Sequence, residues 1–480
     1  MNLKALLYLL GALLIFLAAT MLFPAVVSLI YGEDDLIPIL ISAGMTALAG
    51  AILFFTCRVR HELRIREGFA VVSFAWLGFA LFGALPLHLS GYTASFTDAF
   101  FETMSGFTTT GATILQDIEI LPHGLLFWRS FTHWLGGMGI ILLSLAILPL
   151  LGVGGMQLFK AEVPGPEHDK LSPRIKDTAK ILWEVYIIIS LSEAVLLYIG
   201  GMSVFDALCH TFGTMATGGF ATKNASIGYF NSGFIDYVII VFMLIAGINF
   251  SLHYSALRGD VKTYFRNPET MFFLSLIGAG TLVIFLDIFL FHGYSAGDAV
   301  RKSLFQSVSI ITTTGYGTDD YEKWGAASQL ILFVFMFLGG CAGSTGGAMK
   351  IIRSLVLLRF GLNEIKRLIH PSAVLPVRIG HRTIPREIVS NIAGFFLIYL
   401  GLYVIGVLFM AFLGLDILTA LGSVAATIGN IGPGLGTVGP TDNYAHIPVT
   451  GKWVLSFMML AGRLEIYPVI VLLTRSFWKK

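Results

Sequence analysis

Charged residues are scarce: Asp, Glu, Lys and Arg together make up 12% of the 480 residues, about half of what a soluble chain carries. With 56% hydrophobic residues and a mean hydropathy of +0.80, too little polar surface remains to coat a water-soluble globule. The chain therefore reads as an integral membrane protein. Net charge is also small, since 31 Lys and Arg against 29 Asp and Glu leave +2, so no global basic field points to nucleic acid. Cysteine is nearly absent. Cys57, Cys209 and Cys341 stand far apart in apolar stretches, which excludes a disulfide framework or a CxxC metal site and leaves three small core hydrophobes. Also missing are a His-Glu-x-x-His pair and a helix of repeated arginines. An intramembrane enzyme and a voltage-gated channel thus lack their machinery.

Long apolar runs take the place of these features. A helix needs about 20 apolar residues to cross a bilayer, and that template gives ten spans: 3–31, 36–57, 69–90, 125–151, 181–202, 234–257, 270–292, 327–358, 386–413 and 453–474. The first is too long for a signal peptide and lacks a small-residue cleavage site, so it reads as a retained span. An even number of spans puts both termini on one side. With the termini inside, the cytoplasmic segments at Lys4, 58–67, 156–180, 258–266, 350–386 and 475–480 hold 24 of the 31 Lys and Arg. The other face holds Arg129, Lys223, Arg301, Lys302, Lys323 and Lys452. Basic residues accumulate in cytoplasmic loops, which orients both termini to the cytoplasm.

Four external segments are too apolar for solvated loops and too short to cross. Thr97-Asp98-Ala99-Phe100-Phe101 leads to Thr109-Thr110-Gly111-Ala112, and Phe205-Asp206-Ala207-Leu208-Cys209 leads to Ala216-Thr217-Gly218-Gly219-Phe220. Lys302-Ser303-Leu304-Phe305 leads to Thr313-Thr314-Gly315-Tyr316, and Thr419-Ala420-Leu421-Gly422 leads to Asn430-Ile431-Gly432-Pro433. In every copy a small residue (Ala99, Ala207, Ser303, Ala420) precedes the glycine by twelve positions, and the glycines lie 108, 96 and 117 residues apart. A fixed offset repeated four times is a repeat. The expected fold is an all-α membrane protein, with an N-terminal two-helix hairpin (1–67) and four pseudo-symmetric helix–pore loop–helix repeats around a central ion pore. The repeats span 68–165, 166–262, 263–376 and 377–480.

Non-helical backbone at membrane depth is tolerated only inside protein or along a water-filled cavity. Four re-entrant loops on one axis therefore imply a cavity. Glycine lets carbonyls turn where other residues resist, and rings of carbonyls replace the water shell of a monovalent cation. Each short helix also points its negative C-terminal end toward the axis. Both features favour a cation over an anion.

The eighth span is interrupted at Gly339-Gly340 and Gly343-Ser344-Thr345-Gly346-Gly347, and each glycine costs a helix interior about 1 kcal/mol relative to alanine. A phosphate loop is excluded because Lys350 follows Gly346 by four residues. Close packing through small residues and a moving segment both remain as readings. Lys350 suits either a pore-lining charge or the first basic residue of the cytoplasmic loop. Arg463 lies within the last span, where a charge must face protein or water. Its partner is not Glu465, because residues two apart point to different helix faces. Its functional reading is a positive charge near the axis that limits cation occupancy. His133, His210 and His253 lack metal spacing and read as packing or interhelical hydrogen bonding. Asp98 and Glu102 suit cation attraction, or capping and support of the first loop. The basic run 58–66 reads as a cytoplasmic anchor.

These motifs carry a resemblance. Thr108-Thr109-Thr110-Gly111-Ala112-Thr113, Ala216-Thr217-Gly218-Gly219-Phe220, Thr312-Thr313-Thr314-Gly315-Tyr316, Gly429-Asn430-Ile431-Gly432-Pro433-Gly434 and Gly339-Gly340-Cys341-Ala342-Gly343-Ser344-Thr345-Gly346-Gly347 are similar to those of the Trk/Ktr/HKT superfamily of potassium transporters. The likeness is strongest to its bacterial TrkH/TrkG branch and covers essentially the full chain. It implies potassium uptake across the bacterial inner membrane, with no cofactor. Potassium would be coordinated, mainly by backbone carbonyls, at Thr109, Thr110, Gly111, Thr217, Gly218, Gly219, Thr313, Thr314, Gly315, Asn430, Ile431 and Gly432. It further implies that segment 339–349 is a gating loop, involving Gly343, Ser344, Thr345, Gly346, Gly347, Lys350 and an arginine of the last inner helix at Arg463. A homodimer with one pore per protomer, surrounded by membrane lipid, and a cytosolic nucleotide-binding ring of the TrkA type complete the expectation. Each loop has one glycine step where the TVGYG loop of tetrameric channels has two, and Asn430 replaces threonine in the fourth. Fewer carbonyl rings and looser discrimination against sodium and rubidium follow. The competing function is a proton- or sodium-coupled symporter, which would ordinarily show inverted repeats and buried carboxylates.

Overall fold

The computed structural model describes residues 2–59, 65–146, 175–380 and 382–479. Residues 60–64 of the basic run, the end of the expected span 125–151, most of the basic segment 156–180 and the boundary between the first two repeats lie outside the described residues. What is described is mostly helical, with almost no strand. The one two-stranded hairpin pairs Arg378–Ile379 with Arg382–Thr383 in antiparallel register, Arg378 opposite Thr383; two-residue strands carry too little alternation to be read from sequence.

The N-terminal hairpin consists of Leu3–Thr20 and Leu22–Tyr31, broken at Met21, followed by Leu36–Thr56. Its helices touch through glycine: a Cβ on Gly50 would meet the Gly11 carbonyl at 2.9 Å, the small-residue contact that lets helix backbones approach in a bilayer. The turn docks on the first repeat through two acids. Glu33 accepts from the His123 backbone N–H at 2.5 Å and Asp35 from that of Leu125 at 2.9 Å, satisfying free donors at the start of helix His123–Ala146.

Four units follow, each an outer helix, a short helix, a loop and an inner helix. The outer helices are Ile65–Gly83 with Leu85–Leu89, then Ile175–Ile199, Pro268–Phe291 and Arg386–Phe412. These, with the two arms of the hairpin, are the six helices long and apolar enough to cross a membrane among the described residues. The inner helices differ from the ten-span expectation. In the second repeat Gly233–Gly247 and Phe250–Leu257 meet at a bend of 107°. The third is split into Ala326–Phe335 and Ile351–Ile369, and the fourth into Val449–Arg463 and Tyr467–Leu472. The physical reason is position: inner helices are wrapped in protein and carry Arg129, His133, Lys452 and Arg463, all buried. Lipid-facing apolarity is then no longer required of them.

Leu6, Phe69, Ala70, Val71 and Phe477 form one apolar cluster, and the Asn2 backbone N–H donates to Glu67 at 2.7 Å. Both chain ends therefore meet on one face. Cys209 and Cys341 are buried as small core residues, whereas Cys57 is half-buried at the end of Leu36–Thr56.

Candidate functional site

The short helices are Phe96–Phe107, Val204–Met215, Ala296–Ile311 and Ile417–Ile428. Each begins at a side-chain cap. Ser95, Ser203 and Ser295 accept from the backbone N–H of Asp98, Asp206 and Asp298 at 3.1, 3.0 and 3.2 Å, and Asp416 accepts from Thr419 at 3.1 Å. The Ser-x-x-Asp pattern is a helix-start signal, and it was available in the sequence. It places the third start at Ala296, six residues before the Lys302 at which the repeat alignment opens that helix.

Each helix ends directly before its loop, and all four loops adopt the same backbone. The residue two before each glycine is left-handed: Thr109 (φ 51°), Thr217 (φ 54°), Thr313 (φ 62°) and Asn430 (φ 53°). Gly111, Gly219, Gly315 and Gly432 follow at φ 82°, 80°, 80° and 100°. A left-handed conformation costs a non-glycine residue about 1–2 kcal/mol, and asparagine tolerates it best. Asn430 thus departs in side chain and keeps the backbone. Hydrogen bonds hold each turn: Thr110, Gly218, Thr314 and Ile431 donate to Ser105, Gly213, Ser309 and Ala426 at 2.8, 2.8, 2.9 and 2.9 Å.

The loops close into a ring. A Cβ placed on Gly111 would strike the carbonyl oxygen of Gly218, and one on Gly219 that of Thr314. A Cβ on Gly315 would strike that of Ile431, and one on Gly432 that of Thr110. Each glycine therefore faces the carbonyl preceding the next glycine, and the fourth returns to the first.

A belt of ties runs around the ring. Arg129 joins the first loop to the second, donating to the Ala221 carbonyl at 3.4 Å. The Tyr316 hydroxyl joins the third to the second, donating to the carbonyls of His210 at 2.9 Å and Phe220 at 3.3 Å. Tyr321 joins the third to the fourth through Gly434 O at 2.7 Å, and the Tyr444 backbone N–H donates to Thr113 O at 2.8 Å. Tyr316 closes the third repeat motif, but nothing in the sequence alone marked Tyr321 or Tyr444. Arg129 and Lys452, expected as charges of the external face, are instead buried in ion pairs with Glu102 at 2.7 Å and Asp98 at 2.5 Å. Glu102 accordingly supports the first loop, while Asp98 lies at the capped start of its helix, the second of the two readings. His133 and His210 bond the carbonyls of Gly106 at 2.8 Å and Asp206 at 2.7 Å; His253 bridges Ile245 O and the Tyr264 hydroxyl, each at 2.8 Å.

Between the halves of the third inner helix the chain leaves the helix and returns. Leu338 bridges Met349, and the Gly347 backbone N–H donates to the Thr313 hydroxyl at 2.7 Å. The Thr345 hydroxyl contacts Met215 O at 3.0 Å and Ala246 O at 3.1 Å. Phe250 donates to Gly343 O at 3.1 Å, so this segment seats in the bend of the second inner helix. Two cations grip its carbonyls: Lys350 reaches Ser344 O at 3.3 Å and Gly346 O, and Arg463 reaches Thr345 O at 2.7 Å and Gly136 O at 3.1 Å. Lys350 is therefore a buried loop-holding charge. Glu465 pairs with Arg353 at 2.5 Å, consistent with its separation from Arg463. Glu269, which sequence reasoning missed, accepts from Ala342 at 2.8 Å, within the segment, and from Ile352 at 3.0 Å, in the first turn of the helix after it. It sits at the first turn of an outer helix, where a capping acid is the default reading.

No group of three His, Cys, Asp or Glu able to hold a metal occurs among the described residues; what the ring offers is oxygen from backbone and hydroxyls. A family model described as a cation transport protein, TrkH, matches residues 38–480. The Trk system potassium uptake protein TrkH of Halomonas elongata is 43% identical over 484 residues, and that of Escherichia coli K12 is 43% identical over 488, each match covering 100% of both chains. The crystal structure of the potassium transporter TrkH from Vibrio parahaemolyticus matches with a TM-score of 0.92 at 41% identity, again over 100% of both chains. With a family match over nearly the whole length and relatives aligned end to end, the chain belongs to the TrkH family of cation transport proteins.

Proposed function

We propose that this chain takes up potassium through a pore whose selectivity filter is the ring of four loops. The observation that carries the reading is the cyclic contact itself. Each filter glycine faces a carbonyl of the next loop, leaving no room for a side chain. The dehydrated ion is held by carbonyls of Thr109 to Gly111, Thr217 to Gly219, Thr313 to Gly315 and Asn430 to Gly432, which replace its water shell. Four helices ending at Phe107, Met215, Ile311 and Ile428 aim their partial negative ends at this ring. Relatives named as Trk system potassium uptake proteins support potassium as the cargo.

The segment 339–349 serves as the gate beneath the filter. Its glycines permit movement, and Lys350 and Arg463 hold it shut through its carbonyls. The protein works as a homodimer in the bacterial inner membrane, with both termini cytosolic, under a TrkA-type nucleotide-binding ring. Rescue of growth at limiting potassium, with rubidium uptake measured against imposed sodium and proton gradients, tests the reading. Uptake that follows the potassium gradient alone supports a channel-like pore; uptake that scales with a sodium or proton gradient favours the coupled symporter. Failure to rescue at normal membrane expression rejects potassium uptake.

A further inference from the structure

The four loops share one backbone conformation and are held from behind by different chemistry. Nine residues before each filter glycine stand Glu102, His210, Gln306 and Ser423, all buried or largely so within their helices. Only Glu102 carries a charge. Its carboxylate accepts from the Ile114 backbone N–H at 2.9 Å and from the Thr113 hydroxyl at 3.0 Å, so it fixes the stretch leaving the first loop. Arg129 donates to the same carboxylate from Nε at 2.8 Å and from Nη2 at 2.7 Å. Its third nitrogen reaches the Ala221 carbonyl at 3.4 Å, and its guanidinium lies over the Phe220 ring at 4.1 Å. Both Phe220 and Ala221 belong to the stretch leaving the second loop.

We propose that Glu102 and Arg129 are positioning residues that set the cation preference of the filter by locking the exit of the first loop to the exit of the second. This rests on the potassium-filter reading above. Of the four ties named above, those from the hydroxyls of Tyr316 and Tyr321 and from the backbone N–H of Tyr444 are neutral; carboxylates also bridge repeats where Glu322 accepts from the Gly436 backbone N–H at 2.6 Å and where Asp98 meets Lys452. The first-to-second tie is a charged fork with side chains 1% and 0% exposed, where water cannot substitute for a lost contact. A guanidinium makes all these contacts at once because it is planar and presents several fixed donors. An ammonium is a point donor on a flexible stem and cannot. Preference among monovalent cations follows from the number and field strength of the carbonyls around the ion, so loosening one tie shifts one quarter of the ring.

The test is the sodium-to-potassium permeability ratio of the full-length protein in reconstituted membranes. Arg129→Lys keeps a charge opposite Glu102 and gives up the fork. Phe220→Leu keeps both charges and removes the ring beneath the guanidinium. Asp98→Asn breaks the Lys452 pair at the far end of the same short helix, where side chains are 7% and 13% exposed. The expected result is a ratio raised about threefold or more by Arg129→Lys and less by Phe220→Leu, with the Asp98→Asn ratio near wild type. Unchanged ratios in the first two variants overturn the proposal, and so does an equal shift from Asp98→Asn, which would mean that any buried pair matters alike. Should Arg129→Lys not assemble, Phe220→Leu decides alone. A wild-type protein without preference for potassium rejects the filter reading itself; a selective wild type with unchanged variants rejects only the clamp.

Discussion

The backbone N–H of Gly347 donates to the side-chain hydroxyl of Thr313 at 2.7 Å, which puts the intramembrane segment in direct contact with a left-handed residue of the third loop. Of the other threonines at that position, Thr109 has no hydrogen-bond partner for its hydroxyl among the described residues. Thr217 spends its hydroxyl on the carbonyl of its neighbour Ala216 at 2.6 Å. Fourfold equivalence of backbone therefore coexists with a contact made by the third loop.

Thr313→Val should release the gate where Thr217→Val should not. Removing the acceptor leaves a buried N–H unsatisfied, a cost of about 1–3 kcal/mol to the closed arrangement. Basal rubidium flux should rise roughly fivefold or more in Thr313→Val on that energy. Thr313→Ser keeps the hydroxyl and should behave as wild type. Equal flux from Thr313→Val and Thr217→Val, in proteoliposomes of matched protein content, would show that the contact does not bear on opening.

Replacing any one of Gly111, Gly219, Gly315 or Gly432 with Ser should weaken potassium selectivity over sodium. The added Cβ would meet a carbonyl of the neighbouring loop, and the residue would be forced into a left-handed conformation. Gly218 and Gly434 are unsuitable as comparisons, since a Cβ there would press on His133 or on the Gly422 backbone. Gly317 has nothing nearer than 3.9 Å to its would-be Cβ and provides the control. The prediction is a larger sodium permeability ratio for all four filter variants and none for Gly317→Ser. Selectivity intact in three of the four would break the fourfold model.

The repeat was legible because it rests on short local patterns: an offset of twelve residues and a glycine between two apolar runs. The contacts that hold the ring were not. Tyr444 and Thr113 lie at opposite ends of the chain, as do Lys452 and Asp98, and a single sequence carries no signal for such pairs. Two basic residues counted as loop charges proved to be buried in ion pairs, Arg129 with Glu102 of its own repeat and Lys452 with Asp98 of the first. The break in the last inner helix at Glu465 (φ 57°) and Ile466 (φ 63°) also escaped, because no glycine marks it.

Arg463→Ala should raise cation flux. The guanidinium donates to Thr345 O of segment 339–349 and to Gly136 O of the first inner helix, and no acid pairs with it among the salt bridges of the described residues. Its removal takes away both a positive charge near the axis and a tie on the gate. Arg463→Lys retains the charge with fewer donors, so the two variants separate the effects. Flux raised by Ala alone supports the charge barrier, and flux raised by both supports the tie. Flux unchanged or lowered in Ala at equal expression would reject both roles.

Glu269 offers the sharpest separation of hydrogen bonding from charge. One of its carboxylate oxygens accepts from both Ala342, within segment 339–349, and Ile352, just after it. Glu269→Gln keeps an oxygen at that place and should leave basal flux near wild type. Glu269→Leu keeps the volume and strips two buried N–H groups of their acceptor, at a cost of about 1–3 kcal/mol each. The cost falls on the anchored state of the loop, so the Leu variant should conduct constitutively and lose control by a cytosolic partner, while its outer helix still forms from Pro268. Flux and partner control are both measurable in vesicles with and without the partner added. A Leu variant that assembles and stays closed would show that the segment keeps its place without Glu269. A Gln variant as leaky as Leu would instead assign the role to the negative charge facing Lys350.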